Sequence, residues 1–162
     1  MAIADTLARL PLFEGFEPAD IEALAKRAHI RSFPAGDAVV RQGDLDASMF
    51  VVTGGHARVV LHAPGGSVEI ARIGAGDVIG EISLLTGSAR TATVTATEPL
   101  TTIEIDKASF TAVVGGRKSL LEHLASVVEQ RRAELDYIKQ EAERADIFGR
   151  QSILDRLMRL FG

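Results

Sequence analysis

Glu81 and Arg90 stand nine residues apart in residues 80–93, GEISLLTGSARTAT, with Ser83, Gly87 and Thr91 between or beside them. A turn of helix starting near Glu81 leaves its first backbone N–H groups without intrahelical partners, aimed at any nearby anion. Arg90 adds a planar, permanently charged fork that matches two oxygens of one phosphate. Glu81 repels an anion, so its natural partner is a donor such as a sugar hydroxyl. One anion site beside one hydroxyl acceptor describes a sugar-phosphate ligand.

Other chemistry finds little support. There is no cysteine, which excludes a disulfide framework, a thiolate metal site and a thiol nucleophile. The histidines are His29, His56, His62 and His123; His56 and His62 bracket one candidate strand at even spacing and can share a face. A metal enzyme of the cupin type needs a denser His/Glu ligand set than these two supply. No Ser-His-Asp order and no Walker-type Gly-Lys-Ser/Thr pattern stands out. The chain is expected not to be an enzyme and to hold no metal or cofactor. A net charge of −4 argues against a nucleic-acid surface, which normally carries a basic stripe. The 46% of hydrophobic residues never gather into a run long enough to cross a membrane, and no Lys/Arg-led apolar signal opens the chain. A soluble, cytoplasmic domain is expected.

The elements that must hold Glu81 and Arg90 are short strands. Residues 2–10 are apolar at helical spacing through Ile3, Leu7 and Leu10, and Pro11 ends them. Residues 17–27 form a second helix, with Pro18 in its first turn and Ile21, Leu24 and Ala25 on one face. From His29 to Ile105 the texture changes to β-branched runs broken by Gly and Asp turns. Candidate strands are 29–33, 38–41, 49–53, 57–61, 68–73, 91–96 and 101–105. Many short strands with frequent turns read as a sandwich or small barrel, here a jelly roll. In 91–96, Ala92, Val94 and Ala96 face one side and three threonines the other.

Helices close the chain. Residues 107–114 form a short one, stopped by Gly115-Gly116, and a longer one runs from Lys118 to about Ala145. In the long helix Leu121, Leu124, Val128, Arg131, Leu135, Ile138 and Ala142 recur at three- and four-residue steps, as in a heptad seam. Arg131 interrupts that apolar seam, and a charge there needs a partner. A neighbouring carboxylate such as Glu134 is one. In the last stretch Ser152 can cap a helix with Ile153, Leu157, Leu160 and Phe161 on one side and Asp155, Arg156 and Arg159 on the other. It would pack on its own domain or a dimer mate, or dock on a partner or membrane surface.

GEISLLTGSARTATV resembles the phosphate-binding cassette of the cyclic-nucleotide-binding domain family, which includes catabolite activators, protein kinase A regulatory subunits and cyclic-nucleotide-gated channels. The family's cassette reads roughly F-G-E-x-[AS]-L-[LI], a short variable stretch, then R-[TSA]-A-[TS]. Every marked position is filled here except the leading aromatic, which is Ile79. The resemblance extends over roughly residues 8–145. It implies an α+β fold: an eight-stranded β jelly roll with N-terminal and C-terminal helices, interrupted by the cassette. The expected divisions are 1–27 for the N-terminal helices, 28–116 for the roll and the short helix after it, 117–145 for a long lid or dimer helix, and 146–162 for an amphipathic tail.

The resemblance also implies the ligand, cAMP or cGMP, and the site. Glu81, after Gly80, accepts from the ribose 2′-hydroxyl. Arg90 neutralises the cyclic phosphate, helped by the Ser83 and Thr91 hydroxyls and the N–H groups of Ile82, Ser83 and Ala92. Ile82 helps bed the ribose and base. In several channel members an arginine placed like Arg131 stacks on the purine, which is the second reading of that residue. Closure of the cassette is expected to shift Leu84 and Leu85 against the helix around Phe110 and so move the long helix. Catabolite-activator-like proteins carry a helix-turn-helix after that helix; the residues following Ala145 are too few for one, so no nucleic-acid partner is expected. The last segment is also similar to the closing helix of bacterial small-conductance mechanosensitive channels with a cyclic-nucleotide domain, whose cassettes often share the Leu-Leu-Thr-Gly turn of 84–87. Expected partners are therefore a cyclic nucleotide and either a membrane channel domain of the same full-length bacterial protein or a homodimer mate.

Overall fold

The computed structural model describes residues 2–144, with side chains through residue 130 and at Ala133. Helix α1 covers Ile3–Ala8, a 3-10 turn follows at Pro11–Phe13, and α2 covers Pro18–Arg27. Pro18 opens α2, where its missing N–H costs nothing, and Asp20 accepts the N–H of Glu17 at 3.2 Å. Leu10, expected at the end of the first helix, instead precedes the 3-10 turn, because Pro11 cannot continue the α-helical ladder.

Eight strands then alternate direction: β1 His29–Phe33, β2 Ala38–Val40, β3 Met49–Gly54, β4 Ala57–Ala63, β5 Gly66–Ile73, β6 Val78–Ile79, β7 Thr93–Ala96 and β8 Leu100–Ile105. They form two antiparallel four-stranded sheets, ordered β1-β8-β3-β6 and β2-β7-β4-β5. This is the jelly roll, with helices before and after it. Several strand ends differ from the sequence expectation by one or two residues, and two departures bear on the site. β6 is only two residues long, too short to register as alternation, and pairs Ile79 with Phe50. β7 starts at Thr93 rather than Thr91, because residues 90–92 belong to the loop around Arg90.

β3 shows why one strand can be buried on both faces. Phe50 and Val52 point into the roll with Phe33, Val59, Ile79 and Leu100. Met49 and Val51 point the other way, into a second core with Leu24, Leu84, Ile103, Phe110 and Leu124. The second core glues the helices to the roll. Helix α4 spans Lys107–Val114 and α5 spans Lys118–Arg144. Asp106 caps α4 by accepting the Ser109 N–H at 2.7 Å. Along α5, Leu120, Leu124 and Val128 are buried while Leu121 stays 44% exposed. The Arg131 side chain and the segment 146–162, with its expected Ser152-capped helix, lie outside the described residues.

Candidate functional site

Helix α3, Glu81–Thr86, sits between β6 and β7 and packs Leu84 and Leu85 into the second core. Its cap, Gly80, has a left-handed backbone with φ 83°. A side chain there would also strike the Arg90 Nη1 and lie 3.1 Å from the Ser48 carbonyl, so only glycine fits under the arginine. Gly87, φ 72°, ends the helix and donates its N–H to the Ser83 carbonyl at 2.9 Å. The first N–H engaged within α3 is that of Leu84, bonded to the Gly80 carbonyl at 3.2 Å; those before it have no carbonyl four residues back inside the helix. Glu81 occupies the first position of α3, where the helix dipole favours a carboxylate.

Arg90 is 4% exposed and held on three sides. Its Nε donates to Asp46 Oδ1 at 2.6 Å, Nη1 to the Gly80 carbonyl at 3.2 Å, and Nη2 to the Ser48 carbonyl at 2.5 Å. Its own backbone pins the β2–β3 loop: Arg90 N–H donates to the Asp44 carbonyl at 2.8 Å, and the Gly43 N–H donates to the Arg90 carbonyl at 2.9 Å. A guanidinium carries five N–H groups, and these three side-chain bonds use three. One N–H on each terminal nitrogen remains, the pair that suits two oxygens of a phosphate.

Gly80, Glu81, Ile82, Ser83, Arg90, Thr91 and Ala92, seven of the eight residues expected at the site, line one cleft. Its other wall is the apolar interior of the roll, from Val40, Val59, Ile73 and Val94. Glu81 is 7% exposed and Ser83 3%, so a ligand there would meet them out of bulk water. Such a cleft, polar on the cassette side and apolar on the roll side, suits a ligand with a charged group and a flat apolar body. The eighth residue, Arg131, has its side chain outside the described residues.

Sequence reasoning missed Asp46, Ser48 and Gly80 as partners of Arg90. Asp46 lies 44 positions away in a loop with no motif of its own, and the other two act through backbone carbonyls, which residue type does not advertise. His56 and His62 are engaged separately: His56 Nδ1 lies 2.8 Å from Glu98, and His62 Nδ1 lies 2.6 Å from Ser67 Oγ.

Known proteins are similar to this chain in sequence and in fold. The chain is 27% identical over 128 residues to a CRP-like cAMP-activated global transcriptional regulator of Mycobacterium tuberculosis, covering 78% of this chain and 57% of that one. It is 38% identical over 96 residues to a cyclic nucleotide-gated cation channel protein of Drosophila melanogaster, covering 56% of this chain and 14% of the channel protein. The chain thus spans little more than half of the regulator and a small part of the channel. Among solved structures, the Thermus thermophilus catabolite activator protein superposes with a TM-score of 0.68 at 26% identity, covering 82% of this chain and 63% of that one. Residues 30–116, more than half of the chain, match the family model of the cyclic nucleotide-binding domain, and the chain belongs to that family.

Proposed function

We propose that this domain senses cAMP and passes its occupancy to an effector through α5. One observation carries the reading: α3 has a ligand cleft on one side and the helical core on the other. Glu81, Ser83 and the neighbouring Arg90 line the cleft, while Leu84 is buried with Phe110, Leu120 and Leu124 of α4 and α5. A nucleotide that binds more tightly to one placement of α3 will bias the placement of α5, and only by that difference in affinity. A ten- to hundredfold difference amounts to roughly 1.4–2.7 kcal/mol, enough to tip a balanced switch. In this reading Glu81 accepts from the ribose 2′-hydroxyl, Arg90 and Ser83 hold the phosphate with Thr91, Ile82 beds the sugar, and Arg131 closes over the base. Faster cAMP dissociation from Arg131→Ala, at unchanged thermal stability, is the mark of that last contact; unchanged dissociation with lowered stability would assign Arg131 to a protein carboxylate instead.

The effector we favour is an ion channel, with this domain on its cytoplasmic face; the likeness to a cyclic nucleotide-gated channel protein supports it. Among the described residues no helix is long and apolar enough to cross a membrane, so the pore would be supplied by sequence outside them. A second reading, a dimeric regulatory protein, is supported by the 27-residue α5 with Leu121 exposed on it. The domain binds no nucleic acid and catalyses nothing in either reading. Calorimetry with cAMP tests the sensor, and gel filtration with and without cAMP separates the two outputs: a ligand-independent monomer opposes the dimer.

A further inference from the structure

Asp20 and Arg117 lie 97 positions apart and form a two-pronged ion pair, Nη1 to Oδ1 at 2.8 Å and Nη2 to Oδ2 at 3.4 Å. The carboxylate side chain is 11% exposed and the guanidinium 43%. Asp20 is already fixed, because Oδ2 also accepts the Glu17 N–H in the first turn of α2. Arg117 stands at the joint between α4 and α5. Its N–H donates to the Val114 carbonyl of α4 at 3.1 Å, and its carbonyl accepts the Leu121 N–H of α5 at 3.0 Å. Before it come Gly115 and Gly116, the latter with φ 79°, a left-handed turn that glycine takes without strain and that sets α5 off from α4. A forked pair on a nearly buried carboxylate fixes orientation as well as position, unlike the open Lys118–Glu122 contact at 4.0 Å.

We propose that the Asp20–Arg117 pair is a clasp that pins the start of α5 to α2, so that α5 responds to nucleotide by rotating about Arg117 rather than by sliding as a whole. The nucleotide-driven half of this inference rests on the sensor reading above; the pinning does not. The arrangement is a lever. α3 packs against α5 in the core that holds Leu84, Leu120 and Leu124, and Leu124 is seven residues beyond the pivot. At 1.5 Å per residue that load point lies about 10 Å from Arg117, while the far end of α5 lies about 40 Å away. A rotation of about 10° would move the load point by about 2 Å and the far end by about 7 Å. A sliding helix would give no such gain. Asp20 thereby becomes a positioning residue for a signal that starts at the cassette, although it does not line the cleft.

The chain has no cysteine, so paired spin labels can be introduced cleanly. One label at the exposed Arg58 of β4 serves as reference, with a second at Lys118 or at Gln130, both exposed on α5. In otherwise wild-type protein, saturating cAMP should shift the 58–130 distance by more than about 2 Å and leave the 58–118 distance within about 1 Å. Asp20→Asn keeps a cap acceptor for Glu17 but loses the charge. In that variant and in Arg117→Gln, the 58–118 distribution of nucleotide-free protein should broaden or shift, and cAMP affinity should change at least about threefold. The double variant should be no worse than either single one, as for two halves of one contact. An unaltered 58–118 distribution in nucleotide-free Asp20→Asn, with only a lower melting temperature, would reduce the pair to a structural contact and overturn the clasp. Equal shifts at 118 and 130 in the wild type would overturn the pivot. If calorimetry detects no cAMP or cGMP binding at all, the sensor reading fails, and the clasp stands or falls on the nucleotide-free comparison.

Discussion

The guanidinium of Arg90 and the carboxylate of Asp46 share a 2.6 Å bond across 44 positions, with the arginine side chain 2% exposed and the aspartate 56%. The cation at the heart of the cleft is therefore oriented from outside by a carboxylate that water can still reach. Asp46→Ala should leave the buried cation without its counter-charge and lower stability by roughly 1–3 kcal/mol. It should also weaken cAMP, but by about tenfold or less, about 1.4 kcal/mol, because Gly80 and Ser48 still hold the terminal nitrogens. Thermal melts and calorimetry on the same preparation check both; unchanged stability would mean that Asp46 does not serve the arginine.

The ribose contact is checked with the ligand as well as the protein. If Glu81 accepts from the 2′-hydroxyl, 2′-deoxy-cAMP should bind the wild type markedly worse than cAMP, and the two should bind Glu81→Ala nearly alike. A full deoxy penalty that persists in Glu81→Ala would assign the hydroxyl to another residue.

Base choice turns on Thr91, which lines the cleft and can offer its hydroxyl either to the phosphate or to the exocyclic amine of guanine. We expect cAMP and cGMP to differ by no more than about tenfold, about 1.4 kcal/mol. A thousandfold preference for either base in competition binding would contradict this.

Asp106 governs the entry to α4 and with it part of the acid sensitivity of the fold. Its carboxyl is held below its ordinary value of 3.8, chiefly by the Ser109 N–H, with the Ser109 hydroxyl next; burial opposes the shift slightly, and His29 and Arg27 add to it. Because the folded value lies below the unfolded one, the cap contributes fully above pH 3.8 and loses its contribution as pH falls through the lowered value. Asp106→Ala should cost about 1 kcal/mol near neutral pH. Urea midpoints should show the gap from wild type narrowing below pH 3.8, and a gap that widened there would refute the cap account.

Much of this molecule is legible in its sequence for identifiable reasons. The β-branched runs flanked by glycine and aspartate turns mark most strands closely: His29–Phe33 coincides with β1, and Lys107–Val114 with α4. Val94 and Ala96 alternate with Thr93 and Thr95 as the pleat requires. The cassette residues are legible because Glu81, Ser83, Arg90 and Thr91 carry their chemistry within a single loop. What the sequence does not display is chemistry assembled from afar. Asp46 reaches Arg90, and Asp20 reaches Arg117, only once the chain has folded back on itself. Val78–Ile79 escapes notice because two residues make no period. Gln42 is missed likewise: its side-chain amide accepts the His62 N–H at 2.8 Å and donates to the His62 carbonyl at 3.0 Å, completing a ladder that no strand pattern signals.

The most direct test of the central claim is a calorimetric titration of cAMP into the wild type and Arg90→Ala. Arg90 is buried in the cleft, and two of its N–H groups are not used by the three side-chain bonds to Asp46, Gly80 and Ser48. The account predicts saturable one-site binding to the wild type and a loss of roughly 2–5 kcal/mol in a folded Arg90→Ala, as when a desolvated charge pair loses one partner. Equal cAMP affinity in wild type and folded variant would contradict it.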